Sequence, residues 1–298
     1  MPPSTLLLIY SLLIVLASLA GGWVPLYIHL THARMQVAIS CVAGVMLGVG
    51  VLHLLPHAAF ELGSLDTTVG WVLIGLMTMF FVERFFCFHH HEAPAEEDSS
   101  CDHPADSHHH EHAHTGSEHG HHHAHKLSWT GAATGLALHS LMDGVALAAS
   151  IEIEGSAEHR AYLVGVATFL GIALHKPFDA MAIGTLMAAG GWARRHRHVV
   201  NLLFALMIPL GALLFHVGVR QFGDAGEIVG RALAFSAGTF LCISLSDLLP
   251  ELQFHQHDRI KLSVALLLGL VAAWGISIVE GAGHGHETPP GHEHHQHE

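Results

Sequence analysis

His139 and Asp143 stand four residues apart inside a long apolar segment, and His175 and Asp179 repeat the pair 36 residues later. Four residues is about one helical turn, so each pair shares one face of its helix. The likeness extends beyond the pairs, because the run from Thr134 to Leu147 (TGLALHSLMDGVAL) aligns with that from Leu170 to Ile183 (LGIALHKPFDAMAI). A charged residue at the centre of a membrane helix costs about 2.5–3.5 kcal/mol. Two such pairs therefore persist only where the groups serve each other or a bound ion. Two imidazole nitrogens and two carboxylates suit four-coordinate Zn²⁺, and the same donors would admit Fe²⁺ or Cd²⁺. The plainer alternative is a polar network in which each His bonds its neighbouring Asp and ties two helices together. Two matched pairs on repeated segments favour the ion.

Three neighbours tune this arrangement. Lys176 sets a cation beside the second pair, where it snorkels, lowers the local affinity or takes the place of a second ion. Pro177 removes one helix hydrogen bond and frees the carbonyl of Ala173, which either exposes backbone to an ion path or only kinks the helix. Ser140 follows His139 about 100° round the helix, with no base one turn away on its own face.

Two further stripes of donors repeat at every fourth residue. His53, His57 and Glu61 form one, and Asp247, Glu251 and His255 form the other. They read as an outer and an inner ladder of metal ligands on either side of the central pairs. They also read as interfacial polar residues capping helix ends, with His53 and Asp247 the deepest in apolar sequence. Glu152, Glu154 and Glu158 would draw cations to the outer face, or form a solvated loop.

The elements that carry these residues must be membrane helices. The 298 residues are 51% hydrophobic and only 12% charged, with mean hydropathy +0.43, against roughly 25% charged in soluble domains. Apolar runs of about 20 residues cross a bilayer, and eight are predicted, at 4–28, 35–62, 66–88, 128–153, 160–190, 198–221, 228–253 and 260–281. The first has no basic leader and reads as a retained helix rather than a signal peptide. A net charge of −13 argues against nucleic acid as a partner. Four cysteines without a Cys-x-x-Cys spacing give no disulfide framework and no zinc ribbon.

Orientation follows from the Lys and Arg bias. With the N-terminus outside, the inner loops hold Arg34, Arg84, Lys126, Arg194, Arg195, Arg197, Arg259 and Lys261, and the outer loops only Arg160, Arg220 and Arg231. The expectation is a multi-pass protein of the cell membrane with both termini outside. Residues 1–88 then hold spans one to three, 89–127 form a cytoplasmic loop, 128–281 hold spans four to eight, and 282–298 form a tail. Loop and tail carry most of the 32 histidines. Runs such as His108–His110 cannot build a packed core and are expected to be disordered, either as a weak zinc trap or as a plain linker.

A second repeat runs at an offset of 194. The segment from Ala43-Gly44 to His53-Leu-Leu-Pro-His57 aligns with that from Ala237-Gly238 to Asp247-Leu-Leu-Pro-Glu251. Spans two and seven run in opposite directions in the eight-span reading, as do spans four and five. That is an inverted repeat in a 3+2+3 arrangement, with its site near the midplane.

These residues resemble the ZIP (Zrt/Irt-like protein) family of divalent-metal transporters. The resemblance rests on Leu138-His-Ser-Leu-Met-Asp-Gly144 in span four, His175-Lys-Pro-Phe-Asp179 in span five, His53-Leu-Leu-Pro56 in span two and Asp247-Leu-Leu-Pro-Glu-Leu252 in span seven. It covers nearly all eight spans. It implies movement of Zn²⁺, sometimes Fe²⁺ or other divalent ions, into the cytoplasm. It also implies that spans one, four, five and six carry the site and move against spans two, three, seven and eight, often in a homodimer. The family often has Glu where Asp143 and Asp179 stand, and Asn or Asp where Ser140 and Lys176 stand, which completes a two-metal centre. With Lys176 there, one transported ion is expected. A diffusion-facilitator exporter would resemble six spans followed by a soluble domain, unlike this chain. An intramembrane zinc hydrolase would need a motif such as His-Glu-x-x-His, which is lacking, so no enzyme is expected.

Overall fold

Where no water reaches the backbone, a chain can satisfy its own N–H and C=O groups only as helix or closed barrel, and helix is the regular structure of this protein. The computed structural model describes residues 2–27, 31–86, 124–156, 164–219, 221, 225–254 and 259–281. In order these form α1 (Pro3–Tyr27), α2 (His32–Val49), a π-helical turn (Gly50–Leu54), α3 (Leu55–Leu62), α4 (Leu65–Phe86), α5 (Ala124–Ser156), α6 (Val166–Ala189), α7 (Arg194–Ala205), α8 (Met207–Val219), α9 (Ala225–Phe254) and α10 (Arg259–Gly281). Eight stretches among them are long and apolar enough to cross a membrane. The second span is α2, the π turn and α3 together, and the sixth is α7 with α8. The protein is an all-α polytopic membrane protein.

Both interruptions trace to proline. Pro56 has no N–H to give the carbonyl of Leu52. That carbonyl instead accepts from Ser277 Oγ at 3.1 Å, while the Leu55 N–H donates to the Gly50 carbonyl in the wider i to i+5 register. Pro209, in the first turn of α8, likewise leaves the carbonyl of Ala205 without its helical donor, and the sixth span breaks at Leu206. By contrast α6 is continuous through Pro177. α5 begins at Ala124, inside the stretch expected to be loop. The rest of that His-rich loop and the tail lie outside the described residues.

Packing follows the repeat. Span one lies on span five as span six lies on span four, and span two lies on span eight as span seven lies on span three. Spans two and seven meet each other and reach across to spans five and four. The crossings agree residue by residue. A Cβ on Gly44 would strike the carbonyl of Leu266, and one on Gly238 that of Val72. One on Gly75 would strike the carbonyl of Phe235, and one on Gly269 that of Cys41. Each glycine and each carbonyl has its counterpart 194 residues away, so one close backbone approach is built twice.

The centre is made by spans two, four, five and seven, whose Met46, Val49, Leu147, Ile151, Ile172, Leu233 and Phe240 are fully buried. Leu8, Leu12 and Leu16 of α1, Leu73 and Phe81 of α4, and Leu268 and Val271 of α10 face outward. That is the distribution expected where lipid covers the surface.

Candidate metal centre

Helix α5 supplies His139, Ser140 and Asp143 to the centre, and α6 supplies His175, Lys176 and Asp179. His139, Ser140, Asp143, His175 and Lys176 are buried. Reciprocal glycines let a neighbour in close, because a Cβ on Gly144 would strike the carbonyl of Ile208 and one on Gly211 that of Leu141. Gly21 of α1 lies against the backbone of Pro177 in the same way. Phe240 closes one side edge-on to His175, with ring centroids 6.4 Å apart.

Three of the four donors, His139, Asp143 and His175, converge, and Asp179 flanks them. His139 Nε2 lies 3.4 Å from Asp143 Oδ2 and 3.6 Å from Asp179 Oδ2. His175 Nε2 lies 3.2 Å and 3.9 Å from the same two oxygens. Zinc bonds of about 2.0–2.2 Å in tetrahedral geometry separate ligand atoms by roughly 3.3–3.5 Å; the ligand atoms of His139, Asp143 and His175 all lie within 4.8 Å of one another, and Asp179 stands outside that trio.

Hydrogen bonding fixes what the nitrogens can do. His175 Nδ1 is 2.8 Å from the carbonyl of Gly171, which can only accept, so Nδ1 carries the proton in that bond. A neutral His175 then presents a lone pair at Nε2 to the carboxylate of Asp143. A His175 protonated at both nitrogens instead donates from Nε2 to that oxygen. The backbone bond is also the outer-shell contact that orients metal-ligating histidines. Both ring nitrogens of His139 and Oδ1 of Asp143 are buried without a hydrogen-bond partner. Such orphans are costly unless they serve a ligand.

Lys176 supplies one cation. Its ammonium donates to Ser140 Oγ at 2.7 Å and to Asp143 Oδ2 and Asp179 Oδ2 at 3.1 Å each, which uses all three of its N–H groups. It lies over the ring of Phe204, 4.8 Å from the centroid. Ser140 in turn donates to the carbonyl of Leu136 at 2.6 Å. The neighbouring helix thus brings Lys176 to Ser140. With the ammonium held by two carboxylates and the hydroxyl proton on a carbonyl, the pair is not arranged as base and nucleophile.

A second group lies at the end of the second span. His53 and His57 are joined there by Glu154, and their ligand atoms lie within 4.8 Å of one another. Glu61, one turn further on, has its side chain against Gly226 and Gly230 at the start of α9. Asp247 and Glu251 lie on α9, with side chains outside the described residues, and His255 and Glu158 are outside them altogether. Glu152 pairs with His216 Nδ1 at 3.4 Å.

Glu154 is the residue whose place sequence reasoning missed, since a solvated loop was one reading of it and the structure buries it. One signal was available. An acid in the last turn of a helix opposes the helix dipole, so a Glu there, amid isoleucines, needs outside donors.

A profile of the family described as "ZIP Zinc transporter" matches residues 4–277. The chain belongs to that family. It is also 27% identical over 164 residues to a protein named zinc transporter ZIP9 from Micropogonias undulatus, an alignment covering 51% of each chain. The chain thus spans about half the length of this curated relative. Family membership covers both the centre and the span-two group. The Lys176 ammonium is bonded to one oxygen of each aspartate.

Proposed function

We propose that the protein carries zinc across the membrane into the cytoplasm through a mononuclear site made by His139, Asp143, His175 and Asp179. One observation carries this reading. His139, Asp143 and His175 place their ligand atoms within 4.8 Å of one another, and Asp179 Oδ2 flanks the two imidazoles at 3.6 and 3.9 Å. Lys176 stands where a second ion would, and Ser140 and the two carboxylates hold it there. The donor set also suits Fe²⁺ and Cd²⁺.

Topology rests on charge, and inward movement on the family resemblance. Arg34, Arg84, Arg194, Arg195, Arg259 and Lys261 are exposed at helix ends that the alternation of spans assigns to one side, and that side is the cytoplasm by the positive-inside rule. Both termini then lie outside and the His-rich loop inside. Asp247, Glu251 and His255 are proposed as ligands for the ion on that inner side. A homodimer has the outward apolar faces of α4 and α10 available to it.

The test is radiolabelled zinc uptake into proteoliposomes by the wild type, His175→Ala and Asp143→Ala. Each variant is expected to lose at least nine-tenths of the uptake rate. Undiminished uptake in both would refute the assignment.

A further inference from the structure

We infer that His53, His57 and Glu154 form a second divalent-cation site, distinct from the central one, that takes a borderline transition metal such as Zn²⁺ at the seam between spans two and four. As a staging post for the transported ion it rests on the function proposed above. As a binding site it stands alone.

Four features support it. Glu154 is 3% exposed, and a buried carboxylate must be compensated. Its Oε2 accepts the N–H of Gly165 at 2.6 Å and its Oε1 lies 3.0 Å from His53 Nε2. Gly165 has φ +68° and leads into α6, so the carboxylate is anchored by spans four and five while its other oxygen turns to span two. Second, the rings of His53 and His57 meet edge to face with centroids 4.8 Å apart, so both imidazoles share the space beside that oxygen. Two histidines and one carboxylate with an open fourth position form a recurrent zinc donor set. Third, His53 lies in the π turn, and π turns concentrate at functional sites. The fourth feature is distance and direction. Glu154 follows Asp143 by eleven residues on α5, about 16 Å along the axis and within about 20° of the same helix face. The outer donors and the centre therefore lie on one line. Ser150 and Thr168, hydroxyls 2.7 Å apart and buried, are at an intermediate level on α5.

The plain alternative is a hydrogen bond that merely ties span two to span four. Substituting a thiolate donor separates the two. In detergent-solubilised full-length His57→Cys protein, alkylation of the introduced thiol by N-ethylmaleimide is followed by mass spectrometry of the peptide carrying residue 57, with and without Cd²⁺. The expected result is at least tenfold slower alkylation in Cd²⁺. The Cd²⁺ needed for half protection should rise at least tenfold when Glu154→Gln or His53→Gln is added, and stay unchanged when His175→Ala is added. Should Glu154→Gln fail to fold, Glu154→Asp, expected to weaken protection less, and His53→Gln carry the test. No protection, or protection indifferent to Glu154 and His53, overturns the site. So does protection that vanishes with His175→Ala, because the outer donors would then only report on the centre. Protection that persists in a protein moving no zinc upholds this site and removes the transport reading.

Discussion

Replacing Lys176 with methionine removes the ammonium and keeps most of the side-chain volume, so it tests the claim that this charge limits the site to one ion and tunes its grip. Lys176 Nζ lies 3.1 Å from both aspartate oxygens, so an ion held by those oxygens sits within about 4 Å of it. Two unit charges at that distance interact by about 4 kcal/mol at an effective dielectric near 20, and a divalent ion doubles the repulsion. If only a third of one unit-charge term survives relaxation, about 1.4 kcal/mol, zinc binds tenfold more tightly. The same change strands buried carboxylates in the metal-free protein, a loss of about 3–5 kcal/mol. Lys176→Met should therefore lower the Tm of the metal-free protein and recover much of it on adding zinc. In proteoliposomes the KM for radiolabelled zinc should fall about tenfold or more. The maximal rate should fall as well, because release from a tighter site is slower. An unchanged or raised KM, with a Tm equal to that of the wild type, would refute the reasoning.

Further outcomes follow from the same geometry. Lys176→Asp replaces the ammonium with a third carboxylate and should let the centre hold two zinc ions, counted by anomalous scattering within it; one ion would show that the lysine does not exclude the second. Gly238→Ala puts a methyl against the carbonyl of Val72 and should destabilise by about 1–3 kcal/mol, read as a lower Tm. Gly70→Ala, where nothing lies within 4 Å, should leave Tm unchanged or raise it through helix propensity. Equal effects of the two substitutions would contradict the packing described for the repeat.

Much of this architecture was legible in the sequence, because lipid imposes a simple rule on spans. Runs of apolar residues gave the eight crossings, and the 194-residue offset that aligns Gly44 with Gly238 also relates the backbone contacts those glycines make. His139, Asp143, His175 and Asp179 were legible as a constellation because a fixed i, i+4 spacing is preserved in two copies. Less legible were features set by partners distant in the chain. The π turn depends on Ser277, 225 residues away, taking up the Leu52 carbonyl that Pro56 leaves without a donor. Glu154 meets His53 across 101 residues, and no periodicity within α5 distinguishes it from Glu152, which pairs elsewhere with His216. Lys176 was visible as an oddity, yet its bonds to Ser140 and Asp143 depend on how α5 and α6 are rotated against each other.

The central claim is that one zinc ion passes through a site of four protein ligands. Anomalous diffraction at the zinc edge, from crystals of the full-length protein grown with zinc, tests it most directly. The account predicts one peak between α5 and α6, ringed by His139, Asp143, His175 and Asp179, with the Lys176 ammonium on its flank. Two peaks bridged by those aspartates, or none among the four residues, would contradict it.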